Sequence, residues 1–165
     1  MKVLLLAPLE RRGLTGGQAR AGRILAEGLR ACPEIQLAHV VHPHREDRGG
    51  WLKAAFLRLV FYFQFLRALI AFRPQIAHVF APCSLPAILE KTFLSLIAHA
   101  CGVPTLINLR NDPRVLYASL PRRRKAIMAW CLRRHHAALC QFSMLKQFYE
   151  EDIGVPEQRI FVAHN

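Results

Sequence analysis

Residues 2–9 read KVLLLAPL, five apolar side chains in a row after Lys2, closed by Pro8 and followed by the charged run Glu10, Arg11 and Arg12. A strand with one face in water alternates apolar and polar residues, whereas a strand apolar on both faces needs cover above and below, as in a parallel sheet between helix layers. The run is too short to span a bilayer and is closed by Pro8 and the charged residues after it, so it reads as a buried first strand and not as a leader. The expectation is a cytoplasmic protein with no mark for export. Residues 105–109, TLINL, repeat the pattern a hundred positions on.

Along the chain, apolar runs of strand length alternate with longer segments of helical period. Strands are expected near 2–8, 35–41, 75–80, 104–110, 137–142 and 159–163. Helices are expected near 17–31, 51–72, 84–101, 120–136 and 143–152. Gly102 with Pro104, and Gly154 with Pro156, separate helix from strand. The fold class is therefore α/β, a doubly wound parallel sheet of Rossmann-like type. At 165 residues the chain fits a single domain, 1–165, and with 53% hydrophobic residues it can bury a core.

The net charge is +12, and its distribution is uneven. Residues 110–142 carry +7 and residues 143–165 carry −2. The excess centres on Arg122, Arg123, Arg124, Lys125, Arg133 and Arg134, interleaved with Ile127, Met128 and Trp130. Such a patch suits an anionic membrane surface or a phosphorylated ligand. Nucleic acid is disfavoured, because the basic residues fall on one helix without the aromatic strand motifs of RNA-binding sheets. Five cysteines, with no CxxC pair and no metal-ligand spacing, read as reduced core residues, and neither a metal nor a cofactor is expected.

In doubly wound sheets ligands bind outside the carboxyl ends of the strands. That rule selects loops 9–17, 81–84 and 110–114, and the positions His164 and Asn165. The first loop holds Gly13, Gly16 and Gly17, with Arg20 one turn into the next helix. Glycine lets backbone approach a ligand closely, and the amide groups of a helix start favour a phosphate. The spacing is neither GxGxxG nor a P-loop, so a dinucleotide dehydrogenase or an NTPase is disfavoured.

The ordered pieces KVLLLAPL, GGQAR, RPQIAHVFAPCS, GVPTLINLRND and GVPEQRIFVAHN resemble the N-terminal domain of family 4 glycosyltransferases of GT-B fold, over nearly the whole chain. The resemblance implies an acceptor-binding domain in a retaining, metal-independent enzyme that uses a sugar nucleotide as donor and a glycan or lipid-linked acceptor. It places Gly16, Gly17 and Arg20 by the donor diphosphate, and His78 and Ser84 at the acceptor pocket. Where the family commonly carries His-x-His-Gly, this chain has Asn108, Leu109, Arg110 and Asn111, so an arginine replaces the reaction-centre histidine. Arg110 and Asp112 become the catalytic candidates: Arg110 can hold a phosphate in a bidentate grip, and Asp112 can orient it or bind a sugar hydroxyl. Ser143 matches a serine that opens the helix after the fifth strand. Asn165 matches the crossover into a C-terminal donor-binding domain, which the resemblance expects as a further domain or a partner subunit. Glu150 and Glu157, with six residues between them, fall one short of the Glu-x7-Glu spacing of that other domain, a likeness read as accidental.

Segment 51–72 is long enough to span a membrane, but Lys53, Arg58, Gln64 and Arg67 interrupt it. It reads as an amphipathic helix, packed on the sheet or lying in a membrane interface. The expected function is the acceptor half of a sugar-nucleotide-dependent glycosyltransferase peripheral to the inner membrane face. The rival from another class is a non-catalytic basic module that recruits membrane or nucleic acid.

Overall fold

In a computed structural model, residues 1–8, 17–42, 50–110 and 112–163 are described, with Gln18 and Arg110 described by backbone alone. Six strands form a parallel sheet flanked by helices, the Rossmann-like α/β architecture expected. They are β1 (Lys2–Ala7), β2 (Gln36–Val41), β3 (Ile76–Pro82), β4 (Thr105–Arg110), β5 (Ala137–Cys140) and β6 (Ile160–Val162), in sheet order β2-β1-β3-β4-β5-β6. The helices are α1 (Gly17–Ala31), α2 (Trp51–Arg67), α3 (Leu85–Ala100), α4 (Pro113–Ser119), α5 (Arg122–Arg133) and α6 (Ser143–Gln147). The chain divides into two compact units, Met1–His78 and Val79–Asn165.

In the first unit, β1 and β2 pair in parallel from Lys2 opposite Gln36 to Ala7 opposite Val41. Leu4, Leu5, Leu6 and Ala7 are buried, as a strand apolar on both faces must be. On α1, a side chain at Gly22 would place its Cβ 2.6 Å from the Pro8 carbonyl oxygen. Only glycine lets the helix approach the strand end so closely. Helix α2 continues into a π-helical turn, Ala68–Phe72, and buries Phe61, Phe65 and Leu69.

In the second unit β4, β5 and β6 are parallel neighbours. Its core joins Ile88 of α3, Ile107 and Leu109 of β4, Met128 and Leu132 of α5, and Phe148, Tyr149 and Ile153 of the π-helical turn after α6. Gly154 ends that turn at φ 75°, so the Val155 amide donates to the Tyr149 carbonyl (2.8 Å). Arg133 Nη1 donates to the Ile153 carbonyl at 2.9 Å. The helix expected over 120–136 is present as α5, with Pro121 in its cap position, and a further short helix, α4, lies ahead of it where none is expected from the sequence.

The amino ends of β4, β5 and β6 are tied by a polar network. Buried His135 lies 3.1 Å from Ser95 Oγ through Nδ1. Ser95 Oγ donates its proton to the Lys91 carbonyl (2.9 Å), so Nδ1 of His135 must be the donor to Ser95. His99 Nε2 meets Thr105 Oγ1 and His136 Nδ1, each at 2.9 Å. Arg159 Nε donates to the His136 carbonyl at 2.8 Å, and its Nη2 to the carbonyls of Arg133 and His135. Burial, reinforced by His99, Arg159 and His136, pushes the His135 imidazole down to about 3.

A histidine neutral in the folded chain and protonated in the unfolded one stabilises above pH 6.5 and loses that contribution as pH falls towards about 3. Urea unfolding across this range should show stability declining by up to about 1.4 kcal/mol per pH unit from this group. His135→Asn, less stable at neutral pH, should flatten the decline. Parallel profiles for the two proteins would contradict the assignment.

Candidate functional site

The carboxyl ends of β3, β4 and β5 in the second unit carry its polar loops. After β3, Ser84 takes the N-cap position of the sixteen-residue α3 in extended conformation. Its carbonyl accepts from Ile88 N at 2.9 Å, but its hydroxyl makes no cap bond and the residue is exposed. The helix thus presents amide groups and an exposed hydroxyl together, an arrangement suited to a phosphate or a sugar oxygen.

After β4, Asp112 caps α4. Its Oδ1 accepts from Arg114 N at 2.9 Å, and both oxygens accept from the Arg114 side chain, Nη2 to Oδ2 at 2.6 Å and Nε to Oδ1 at 2.9 Å. Arg114 holds the carboxyl below the usual carboxylate range. The group is therefore an anionic positioning element across neutral pH, and an acceptor for a hydroxyl rather than a proton shuttle. Cys83 Sγ donates to the Asp112 carbonyl at 3.7 Å and so joins the β3 and β4 loops.

Behind these loops lies a buried layer. Asn108 of β4 and Tyr149 are buried, and neither Asn108 Oδ1 nor the Tyr149 hydroxyl has a hydrogen-bond partner among the described residues. Burial, then the neighbouring Cys140 and Cys83, raises the Tyr149 hydroxyl well above its ordinary value. Burial lifts the Cys83 thiol to about 11, helped by Asp112, and Cys140 to about 12, helped by Glu150. Both remain thiols at neutral pH, so nucleophilic thiolate chemistry does not fit. Among the described residues no group of three His, Cys, Asp or Glu is placed to hold a metal ion.

The second unit brings Ser84, Asn108 and Asp112 to the carboxyl ends of adjacent strands. Arg110 ends β4 by its backbone, and its side chain lies outside what is described. Asn111, Gly16 and Asn165 also lie outside the described residues. In the first unit Gly17 opens α1 with nothing near its Cα to crowd a side chain, and Arg20 is exposed. His78 is buried in β3 at 7% exposure. Ser143 is the exposed first residue of α6 and not its cap, a position held by Phe142.

Part of the basic cluster has internal partners. Arg122, Arg123 and Arg124 are exposed on α5, whereas Lys125 lies over the Tyr117 ring (5.1 Å) and Arg134 over Trp130 (4.9 Å). Lys146 pairs with Glu157 at 2.5 Å and Glu150 at 3.7 Å, which gives both acids a structural ion pair. Two features escape the sequence reading: helix α4, whose Asp112-Pro113 start is a cap followed by proline at the first helical position, and the buried Tyr149.

The whole chain superposes on parts of solved structures. It covers 100% of its own length on 44% of Anabaena HepE in complex with UDP-glucose, with TM-score 0.52 and 10% identity. It covers 99% of its length on 48% of Glycyrrhiza uralensis UGT73P12 complexed with glycyrrhetinic acid 3-O-monoglucuronide, with TM-score 0.55 and 11% identity. The chain thus spans about half the length of these structures and shares the fold of GT-B glycosyltransferases. No protein-family model and no curated protein matches the sequence.

Replacing Asp112 by alanine removes the α4 cap and should lower stability by about 0.5–2 kcal/mol, while asparagine, an equally good cap, should retain most of it. Because the folded pKa is depressed, this contribution is present above the ordinary carboxylate range and lost as pH falls through the folded value. Urea unfolding of the three proteins at neutral and acid pH checks both statements. Equal loss for alanine and asparagine would contradict the capping role.

Proposed function

We propose that residues 1–165 form the N-terminal, acceptor-binding domain of a sugar-nucleotide-dependent glycosyltransferase of GT-B fold. The observation that carries the reading is the end-to-end likeness of this chain to less than half of each of the two GT-B structures described above. The polar groups at the strand carboxyl ends of the second unit support it. In this reading a C-terminal domain or partner subunit binds most of the sugar nucleotide, and this chain positions the acceptor hydroxyl and contacts the departing diphosphate. Transfer proceeds with retention and without a metal, to a lipid-linked or cell-envelope glycan at the cytoplasmic face of the membrane.

The work assigned to the domain is positioning and charge stabilisation. Ser84, at the start of α3, and Asp112, fixed by Arg114, hold acceptor oxygens. The diphosphate contact is assigned to Arg110, the last residue of β4, because a guanidinium fork suits paired phosphate oxygens. Gly16, Gly17 and Arg20 supply the further anion contact that the resemblance assigns to them. A non-catalytic basic module fits less well, because Lys125, Arg133 and Arg134 have partners within the fold.

The test uses a polypeptide that joins this chain to its donor-binding half, assayed for glycosyl transfer from a panel of sugar nucleotides to lipid-extracted acceptors. Arg110→Ala should lower kcat about a hundredfold, the loss typical for one donor to developing negative charge. Ser84→Ala should mainly raise KM for the acceptor. Transfer unaffected by Arg110→Ala would overturn the role of that residue. Salt-sensitive DNA binding without transfer would overturn the function.

A further inference from the structure

Helix α2 with its π-helical extension is long and apolar enough to cross a membrane, yet it is built into the first unit. Phe61, Phe65 and Leu69 are buried, and extraction of the helix would strip apolar surface from the core. The opposite face is bare. Leu52, Phe56, Leu59, Phe63, Leu66 and Ile70 follow at spacings of four and three, and each is between 40% and 70% exposed. At about 100° per residue the first five fall within an arc of roughly 80°, in a stripe on the order of 25 Å long with Ile70. Trp51, 78% exposed, stands at the start. Scattered exposed apolar residues are ordinary, but a continuous stripe of this size marks an interaction site.

Charge selects the occupant. Residues 48–89 contain no aspartate or glutamate. Lys53 and Arg67 lie along one edge of the stripe and Arg58 along the other, by the helical repeat. Lys53, Gln64 and Arg67 also line a groove of about 800 Å³ between α2 and β2, with His39 and Val60 among its walls. Pairing two copies through the stripe would bring these cations together with no acidic counterpart on the helix. An apolar stripe with aromatic residues, bordered by basic side chains, instead matches the boundary between anionic headgroups and acyl chains.

We propose that helix α2 docks the domain on an anionic phospholipid surface, with Leu52, Phe56, Leu59, Phe63, Leu66 and Ile70 entering the acyl boundary and Lys53 and Arg67 reaching the headgroup phosphates. The helix lies in the plane of the interface and does not span it. This attachment is independent of the transfer reaction, and it decides for segment 51–72 between the two placements that its sequence leaves open.

The test is co-sedimentation of the intact chain with vesicles of phosphatidylcholine, with and without phosphatidylglycerol. The chain should pellet with the anionic vesicles and be released by salt. Lys53→Gln with Arg67→Gln should lower partition about thirtyfold, from about 1 kcal/mol per basic residue near the surface. Phe56→Ser with Phe63→Ser, both at exposed positions, should abolish binding while thermal unfolding stays unchanged. As a measurement that needs no change to the helix, Trp51 emission in the Trp130→Phe chain should shift to the blue on adding anionic vesicles. A chain that stays in the supernatant with an unshifted Trp51 would overturn the proposal. A dimer dissociated by the two serines, with no vesicle binding, would reassign the stripe to self-association.

Discussion

Parallel pairing of strands that are apolar on both faces is the constraint from which the rest of the molecule follows. Each strand must be covered above and below, so a helix must follow it, and every carboxyl end then opens onto a loop that precedes a helix start. The second unit shows the consequence. Its core is shared by β4, α3, α5 and the π-helical turn after α6, and Ser84, Asp112 and Cys83 sit on loops held at adjacent strand ends. The loops are short, and the rigid elements behind them set their positions.

The two ends of this unit are chemically unlike. At the amino ends polar groups satisfy one another: His135 with Ser95, His99 with Thr105, and Arg159 with three carbonyls. This end reads as a polar clasp on β4, β5 and β6. At the carboxyl ends Asn108 Oδ1 and the Tyr149 hydroxyl are buried without a partner among the described residues, and the Ser84 hydroxyl makes no cap bond. Buried polar groups are normally paired, and among the described residues these two lie in the layer directly behind the loops of the proposed site. The proposed acceptor site rests on that contrast as much as on resemblance to glycosyltransferases.

The architecture was legible in the sequence because its signals are local. Residues 2–9 and 105–109 announce buried parallel strands, and α1 spans the residues that its periodicity predicts. Helix α4 is not announced by periodicity, because Asp112 and Pro113 read as loop residues as readily as a cap and first helical residue. The partner of Asp112 was not legible either. Asp112 lies two positions from both Arg110 and Arg114, and only the turn of α4 brings the Arg114 guanidinium onto both carboxylate oxygens. The solvent stripe on α2 was half legible: its period is in the sequence, but which face the domain covers is a tertiary fact.

The central claim is that ligands meet this unit at the carboxyl ends of its strands. Amide hydrogen exchange of this chain joined to the donor-binding half proposed for it, with and without a sugar nucleotide and a lipid-phosphate acceptor, tests it most directly. The account predicts slower exchange in peptides covering 82–86 and 112–116, with 99–105 and 134–137 unchanged. Protection confined to the histidine-rich amino ends, or none in this unit while product is formed, would contradict it.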